Sequence, residues 1–210
     1  MQHPTVIPLA NQHFEQARLV MGRAFEDYPL LRYVMPDDRR RLHVANALYG
    51  AVIHYCLRYG ESFTTEAIEG AACWLPPERP FPTFWRMTRV GMLRLPFQFG
   101  WTGYGRLEAF DRVATRVHHE HTPGPHWYLW AIGVAPERQG QGLGASLMRP
   151  ILARADADRL PCYLETHKQA NTLIYARSGF RIVSESSVPG HPGTIWGMLR
   201  DPGATPITSS

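Results

Sequence analysis

Apolar residues recur along the chain at two spacings, and together these predict a succession of strands and helices. Apolar or β-branched runs predict strands at 6–9, 62–65, 71–75, 127–134, 161–166, 180–184 and 194–199. Apolar steps of three and four predict helices at 12–25, 37–58, 107–119, 143–155 and 171–178. The order of these elements predicts one mixed sheet with helices packed against it, which is an α/β or α+β fold.

Residues 79–105 depart from this pattern. Aromatic rings are interleaved with arginines there, and prolines and glycines break the stretch into short helical pieces. The arginines do not fall on one helix face, which argues against a segment that lies on a membrane surface. Two interpretations stay open. One is a lid over a binding site, in which Trp85 and Trp101 contact the bound molecule, and the other is a subunit interface, which would make the protein a homodimer.

The length and charge of the chain exclude several classes of protein. A chain of 210 residues predicts one domain at 1–200, followed by a flexible tail at 201–210 that is rich in Pro, Gly, Ser and Thr. Lys and Arg number 22 against 18 for Asp and Glu, and this small excess does not indicate nucleic-acid binding. The sequence contains no apolar run long enough for a membrane span, and residues 1–10 do not resemble a signal peptide.

The three cysteines, Cys56, Cys73 and Cys162, show no metal-binding spacing, and their odd number does not suit a disulfide framework. We therefore expect buried free thiols in a cytoplasmic protein that has no metal site.

A glycine-rich turn joins the most apolar strand to the next helix. Backbone amides of such a turn approach a ligand closely, and the helix start adds a positive dipole end, so the turn suits a pyrophosphate. A P-loop is excluded because Gly144-Ala145-Ser146 lacks the required lysine. A dinucleotide-binding turn is disfavoured because five residues separate the strand from Gly140 and only about 65 residues follow the motif. The residues of the turn that we expect to bind the ligand are Gln139, Gly140, Gln141, Gly142, Leu143, Gly144 and Ala145.

Two motifs together resemble a known superfamily. The first is Gln139-x-x-Gly142-x-Gly144 after the strand, and the second is the 161–166 strand followed by Asn171-x-x-x-Tyr175-x-x-x-Gly179-Phe180. This combination resembles the GNAT superfamily of N-acetyltransferases over about residues 127–185, and the order of elements extends the resemblance over nearly the whole chain. The strand end at 74–77 and the 161–165 strand also resemble the small-molecule branch that includes puromycin N-acetyltransferase-like proteins.

The resemblance implies a GNAT fold, in which a mostly antiparallel sheet is splayed at its centre and helices cover both faces. It also implies acetyl-CoA as co-substrate. The pantetheine arm would enter the gap between the splayed strands and pair with backbone groups near Ile132 and Val134. The diphosphate would lie on the amides of the glycine turn, and Asn171 would bind the pantetheine or adenylate side.

The implied activity is transfer of the acetyl group to a primary amine, which attacks directly in a ternary complex. Tyr175 would protonate the departing thiolate, and Glu165 would act, through a water, as the base. A backbone amide near Ile132 or Val134 would polarise the thioester carbonyl. We expect a small-molecule acceptor rather than a protein. The alternative is a regulatory module that binds CoA without catalysis.

Several of these side chains also have plainer interpretations. Tyr175 could simply pack against its neighbours, and Glu165 could be an exposed carboxylate at a strand end. The histidines at 118, 119, 121 and 126 are most simply a solvated helix end, although one of them could serve as the base. Glu26 and Asp27 could attract a cationic amine or form a surface pair.

Overall fold

The computed structural model describes residues 4–190 and 193–204. Its seven strands form one sheet in the order β1-β2-β3-β4-β5-β7-β6. The strands are β1 Val6–Pro8, β2 Glu61–Thr65, β3 Gly70–Leu75, β4 Trp127–Val134, β5 Cys162–Thr166, β6 Arg181–Ser187 and β7 Thr194–Arg200.

The sheet is splayed at its centre. Every neighbouring pair is antiparallel except β4 and β5, which run parallel. Those two strands pair only where Trp127–Leu129 meets Cys162–Leu164, and beyond that point they separate. The predicted fold is therefore confirmed.

Helices cover both faces of the sheet because successive strand residues point to opposite sides. The helices are α1 Phe14–Phe25, α2 Pro29–Val34, α3 Asp38–Tyr59, α4 Phe84–Arg89, α5 Leu95–His121, α6 Leu143–Asp158 and α7 Gln169–Ala176. Ala71 and Tyr128 pack with α1, α3 and α5 on one face, whereas Ala72 and Leu129 pack with α6 on the other. None of the helices in the described part of the chain has both the length and the apolarity that a membrane span requires.

Some helix boundaries differ from those that the periodicity predicts. Residues 11–13 form a turn of 3-10 helix, so α1 begins at Phe14 and Asn11 does not cap it. The loop expected after α1 contains the short helix α2, which begins at Pro29, a residue suited to a helix start. Helix α3 is capped by the Asp37 side chain, which accepts a hydrogen bond from the Arg39 amide at 3.0 Å.

Helix α5 begins twelve residues before the predicted position 107, at Leu95. Gly100 breaks it with a φ of 69°, a conformation that non-glycine residues rarely adopt. The regular helical part that follows carries the predicted 107–119 helix and continues to His121.

The start of the predicted tail is held against α6. Arg200 Nη1 pairs with Asp156 Oδ1 at 2.6 Å, and the Gly203 amide donates to the same oxygen at 2.7 Å. The rest of the tail, 205–210, lies outside the described residues, so its predicted flexibility stays a prediction.

Candidate active site

The gap between β4 and β5 leaves one edge of β4 unpaired at its carboxyl end. The Ala135 amide donates to Glu69 O, towards β3, at 2.8 Å. Because amide directions alternate along a strand, the backbone groups of Ile132 and Val134 face the gap. The Val134 carbonyl accepts a hydrogen bond from Gln139 Nε2 at 3.1 Å, so this side chain braces the turn. At the predicted pantetheine-pairing edge, the backbone groups of Ile132 and the Val134 amide therefore face the gap, and the Val134 carbonyl already accepts from Gln139.

The glycine turn lies at the end of this edge. Gly140 and Gly142 have φ angles of 75° and 79°, which explains why glycine stands at both positions. Helix α6 begins at Leu143, and the first of its amides to be bonded is that of Ser146, which donates to Gly142 O at 3.1 Å. The amides of residues 143–145 are left without an acceptor in the helix, as is usual in a first turn.

The space in front of these amides is open. A Cβ atom built at Gly140 or Gly142 meets no atom within 4 Å, and one built at Gly144 meets only Ile132 Cδ1, at 4.0 Å. Three glycines therefore form a shallow concave surface beside free amides and a helix start, which fits a phosphate group. The Leu143 side chain is buried and belongs to the core, so Leu143 can offer only its backbone.

A cavity of about 320 Å³ runs through the gap. Tyr49 and Tyr128 of one core line it together with Leu129 and Leu164 of the other, so it connects the two faces of the sheet. Four of the predicted site residues are among its lining residues, namely Ile132, Glu165, Asn171 and Tyr175.

Glu165 is buried in the wall of this cavity. Its side chain is only 7% exposed, so the interpretation as an exposed strand-end carboxylate is wrong. Burial raises its pKa to about 8, although the nearby Tyr128 and Tyr163 hydroxyls offset part of this effect. The Tyr163 hydroxyl has no hydrogen-bond partner among the described residues, so it acts on Glu165 as a neighbouring dipole. A carboxyl group with this pKa can take up and release protons near neutral pH.

The interpretation of the four histidines as a solvated helix end is wrong for His118 and His126. His118 and His126 are 2% and 0% exposed, and their Nε2 atoms lie 2.7 Å apart. His126 Nδ1 donates to Gly124 O at 2.7 Å, so in the neutral pair His126 Nε2 accepts from His118 Nε2. His118 Nδ1 is then unprotonated and lies 3.8 Å from Glu165 Oε1.

His118 is not suited to act as the base. Burial, reinforced by the neighbouring His126 and His119, lowers the pKa of His118 to about 2. Since burial also raises the pKa of Glu165, its contact with His118 joins two groups that are mainly neutral below pH 8, rather than a salt bridge.

Tyr175 and Asn171 lie on α7 beside the gap. Burial raises the pKa of the Tyr175 hydroxyl above its ordinary value, so the group stays protonated at any working pH. Asn171 Nδ2 donates to Thr166 Oγ1 at 3.3 Å, and this oxygen also lies 3.0 Å from the Tyr28 hydroxyl. These contacts hold the start of α7 against the end of β5.

Apart from Glu165, the acidic residues that face the cavity are not those that the sequence suggested. Neither Glu26 nor Asp27 lines it, and Asp27 instead pairs with Arg32 at 2.8 Å. Glu108 and Asp111 on α5 take their place in the wall. Their spacing of three puts both on one helix face, but which face of α5 meets the cavity depends on how the helix packs, which the sequence does not reveal.

The 79–105 insert contributes to the site through its inward residues. Met87, Met92 and Tyr104 line the cavity. Trp85 and Trp101, which the lid interpretation placed against a bound molecule, are 74% and 79% exposed and do not line the cavity. The insert therefore forms a wall of the cavity, and its tryptophans lie on the outer surface.

Within the part of the chain that the structure describes, no group of three or more His, Cys, Asp or Glu side chains is arranged to hold a metal ion.

Comparison with known proteins agrees with this geometry. Residues 90–180 match the model of the acetyltransferase (GNAT) family. An uncharacterised N-acetyltransferase of Schizosaccharomyces pombe is 23% identical over 175 residues, which is 80% of this chain and 70% of the relative. The resemblance read from the sequence is therefore confirmed, and the match to the GNAT acetyltransferase family lies in residues 90–180.

Solved structures confirm the fold. One from Corynebacterium glutamicum, described as histone acetyltransferase HPA2 and related acetyltransferase, has a TM-score of 0.65 at 19% identity and covers 100% of this chain and 99% of its own. Arylalkylamine N-acetyltransferase 2 of Aedes aegypti has a TM-score of 0.58 at 11% identity, with 95% of this chain and 99% of its own covered. At these identities the likeness establishes the fold alone.

Proposed function

We propose that the protein is an N-acetyltransferase that moves the acetyl group of acetyl-CoA to a primary amine of a small molecule. The observation that carries the proposal is the single cavity wall in which Glu165, Asn171, Tyr175 and the open edge at Ile132 meet. This wall adjoins the glycine turn, since a Cβ at Gly144 would touch Ile132 Cδ1.

Acetyl-CoA would supply an acyl group activated as a thioester. The amides of Gly140 to Ala145 would hold its diphosphate, and the backbone groups of Ile132 and Val134 would pair with the pantetheine. An amide of this edge would also polarise the thioester carbonyl, because it points into a cavity lined largely by apolar and aromatic side chains. Asn171 would position the pantetheine from the opposite side of the gap.

Glu165 is proposed as the base. The amine arrives as an ammonium ion and must lose a proton before its nitrogen can form a bond to the acyl carbon. Glu165, directly or through a water, would accept that proton. Its pKa of about 8 lies close to working pH and makes it a stronger base than an ordinary carboxylate.

Tyr175 is proposed as the proton donor. As the new C–N bond forms, the C–S bond breaks and leaves a thiolate, which a hydroxyl lining the same cavity can protonate. The raised pKa makes Tyr175 a weak acid, so the transfer requires help from the neighbouring amides and helix ends. We propose direct attack in a ternary complex, because Cys162, the cysteine nearest the motifs, is buried with a pKa raised to about 12.

A cytoplasmic location is part of the proposal. Cys56, Cys73 and Cys162 are all buried free thiols, which suits a reducing compartment. A homodimer that forms through the outer face of the insert is also part of the proposal. Sedimentation velocity would detect it.

The test is release of CoA thiol from acetyl-CoA in the presence of a panel of small amines. We expect release with at least one amine class and a loss of release in Glu165→Gln. The alternative, a regulatory module, predicts that calorimetry detects acetyl-CoA binding while no amine on the panel releases thiol.

A further inference from the structure

We infer that the acceptor is a monocationic amine that carries an aromatic or bulky apolar group and no carboxylate. This inference rests on the proposed function, and it names the substrate class that the acceptor side of the same cavity would take. It is carried by three properties of the cavity, namely its size, its rings and its charge.

The size of the cavity limits the acceptor to a small molecule. Its volume of about 320 Å³ lies at the lower end of the range for small-molecule sites. The reacting end of the co-substrate must share this space near Ile132 and Tyr175. What remains admits a single ring or a branched chain and excludes a folded peptide or an oligosaccharide.

The lining is rich in aromatic rings. Phe25 stacks on Tyr49 with ring centroids 3.9 Å apart, and Tyr28 meets the edge of Phe25 at 5.2 Å. Tyr104 and Phe110 come from α5 on the other side. Such rings bury the apolar body of a ligand and also attract a cation through their faces.

Apart from tyrosines, the titratable side chains of the lining are three carboxyl groups and one histidine, His167. Glu108, Asp111 and Glu165 line the cavity, and no lysine or arginine among the described residues does so. Neither Glu108 nor Asp111 forms an ion pair within the described part of the chain, although Arg112 borders a shallow depression beside them. A cationic ammonium group would pair with the carboxylates and favour the deprotonated form of Glu165, whereas a carboxylate on the acceptor would be repelled.

The carboxyl groups act on one ammonium group rather than on two distant ones. Asp111 is close enough to Glu165 for its negative charge to add to the effect of burial on that group. Glu165 itself is a buried side chain that has no cationic partner and faces the same space. The ammonium group would therefore meet Asp111 and Glu108 on entry and Glu165 at the reacting position.

The experiment compares four acceptors that differ in one property each. 2-Phenylethylamine is the aryl monocation, phenylalanine adds a carboxylate, phenylalaninamide removes that charge again, and 1,4-diaminobutane replaces the ring by a second ammonium group. Binding is measured by calorimetry to the protein saturated with CoA, which cannot react. Thiol release is then measured with acetyl-CoA.

We expect 2-phenylethylamine to bind roughly 100-fold more tightly than phenylalanine, and phenylalaninamide to recover most of the difference. We expect 2-phenylethylamine to bind at least about tenfold more tightly than 1,4-diaminobutane, because only 2-phenylethylamine has an apolar ring to bury against the aromatic lining. Asp111→Asn should lower the affinity for 2-phenylethylamine about tenfold. It should also reduce the ratio of the affinities for 2-phenylethylamine and phenylalanine. Glu120→Gln, at an exposed position of the same helix, is the control. It should change neither the affinity for 2-phenylethylamine nor its ratio to the affinity for phenylalanine.

Phenylalanine or 1,4-diaminobutane binding as well as 2-phenylethylamine would overturn the inference, as would Asp111→Asn behaving like Glu120→Gln. Failure of the proposed function looks different. In that case 2-phenylethylamine binds in an Asp111-dependent way, yet no amine releases thiol from acetyl-CoA.

Discussion

At the scale of single residues, the proposed chemistry depends on one buried carboxyl group. Glu165 lies at the end of β5, beside the point where β4 and β5 separate. The same separation that opens the cavity leaves Glu165 enclosed by Tyr128, Tyr163 and His118 rather than by water. A residue type that is usually ionised is thereby given a pKa near neutrality.

The pKa of Glu165 predicts how the rate depends on pH. Only the deprotonated form can act as base, so kcat/KM should rise about tenfold per pH unit below pH 8 and level off above it. Glu165→Gln should lower kcat/KM by at least about 100-fold and abolish this rise. A full pH–rate profile of both proteins with one amine measures this, and an unchanged rising limb in Glu165→Gln would assign it to another group.

The same pKa predicts an effect on stability. The folded-state pKa of about 8 lies above the ordinary value of about 4.3, so at intermediate pH the folded state holds a proton that the unfolded state has lost. Rising pH therefore removes stability through this group. The Tm of Glu165→Gln relative to wild type should increase from pH 5 to pH 9. Glu185→Gln, at an exposed strand position, is the control, and its Tm relative to wild type should stay constant over this pH range. A constant relative Tm in Glu165→Gln would contradict the raised pKa of Glu165.

Tyr175 is tested by removing its hydroxyl alone. Tyr175→Phe should lower kcat by on the order of 100-fold with little change in the KM for acetyl-CoA, because the ring keeps its packing against Phe180. Tyr49→Phe removes another hydroxyl from the same cavity and is the matched control. A Tyr175→Phe enzyme within about twofold of wild type would show that Tyr175 only packs.

At the scale of elements, the proposed function gives the glycine turn and the insert separate tasks. The turn presents free amides at the start of α6, and the insert lines the cavity through Met87 and Met92, on the side proposed for the acceptor. Variants in each element should therefore affect different substrates.

Gly144 allows the turn to be tested without backbone strain. Its φ is not positive, unlike those of Gly140 and Gly142, and a Cβ there makes only an ordinary contact. Gly144→Glu should abolish acetyl-CoA binding in calorimetry, because its charge repels the diphosphate. The same charge at a helix start favours the helix, so stability should not fall. Gly144→Ala, the control, should bind acetyl-CoA more tightly than Gly144→Glu, and unchanged affinity in a folded Gly144→Glu protein would contradict the assignment.

The insert is tested by two substitutions in α4. Met87→Ala removes a cavity-lining side chain and should raise the KM for the amine several-fold while leaving the KM for acetyl-CoA unchanged. Trp85→Ala removes a larger but exposed side chain of the same helix and should change neither. A larger effect of Trp85→Ala would show that the tryptophan folds over the acceptor during catalysis.

At the scale of the whole molecule, the sequence predicted the sheet better than the site. Strand positions follow from apolar runs, and the two motifs near the gap are local in sequence, so both were predicted. The surroundings of Glu165 were not, because His118, Tyr128 and Tyr163 come together only through tertiary packing. Tertiary packing also places Glu108 and Asp111 in the cavity wall, which the sequence did not predict. It buries His118 and His126 as well, although the sequence favoured a solvated helix end for them.

The most direct test of acetyl transfer by direct attack is mass spectrometry of a single turnover with the protein in excess. Acetyl-CoA alone should leave both the thioester and the mass of the protein unchanged. Addition of 2-phenylethylamine should then yield N-acetylated amine and free CoA in equal amounts. A protein that becomes acetylated before the amine is added would contradict direct attack, and a bound thioester that stays intact with every amine would show a CoA-binding module without catalysis.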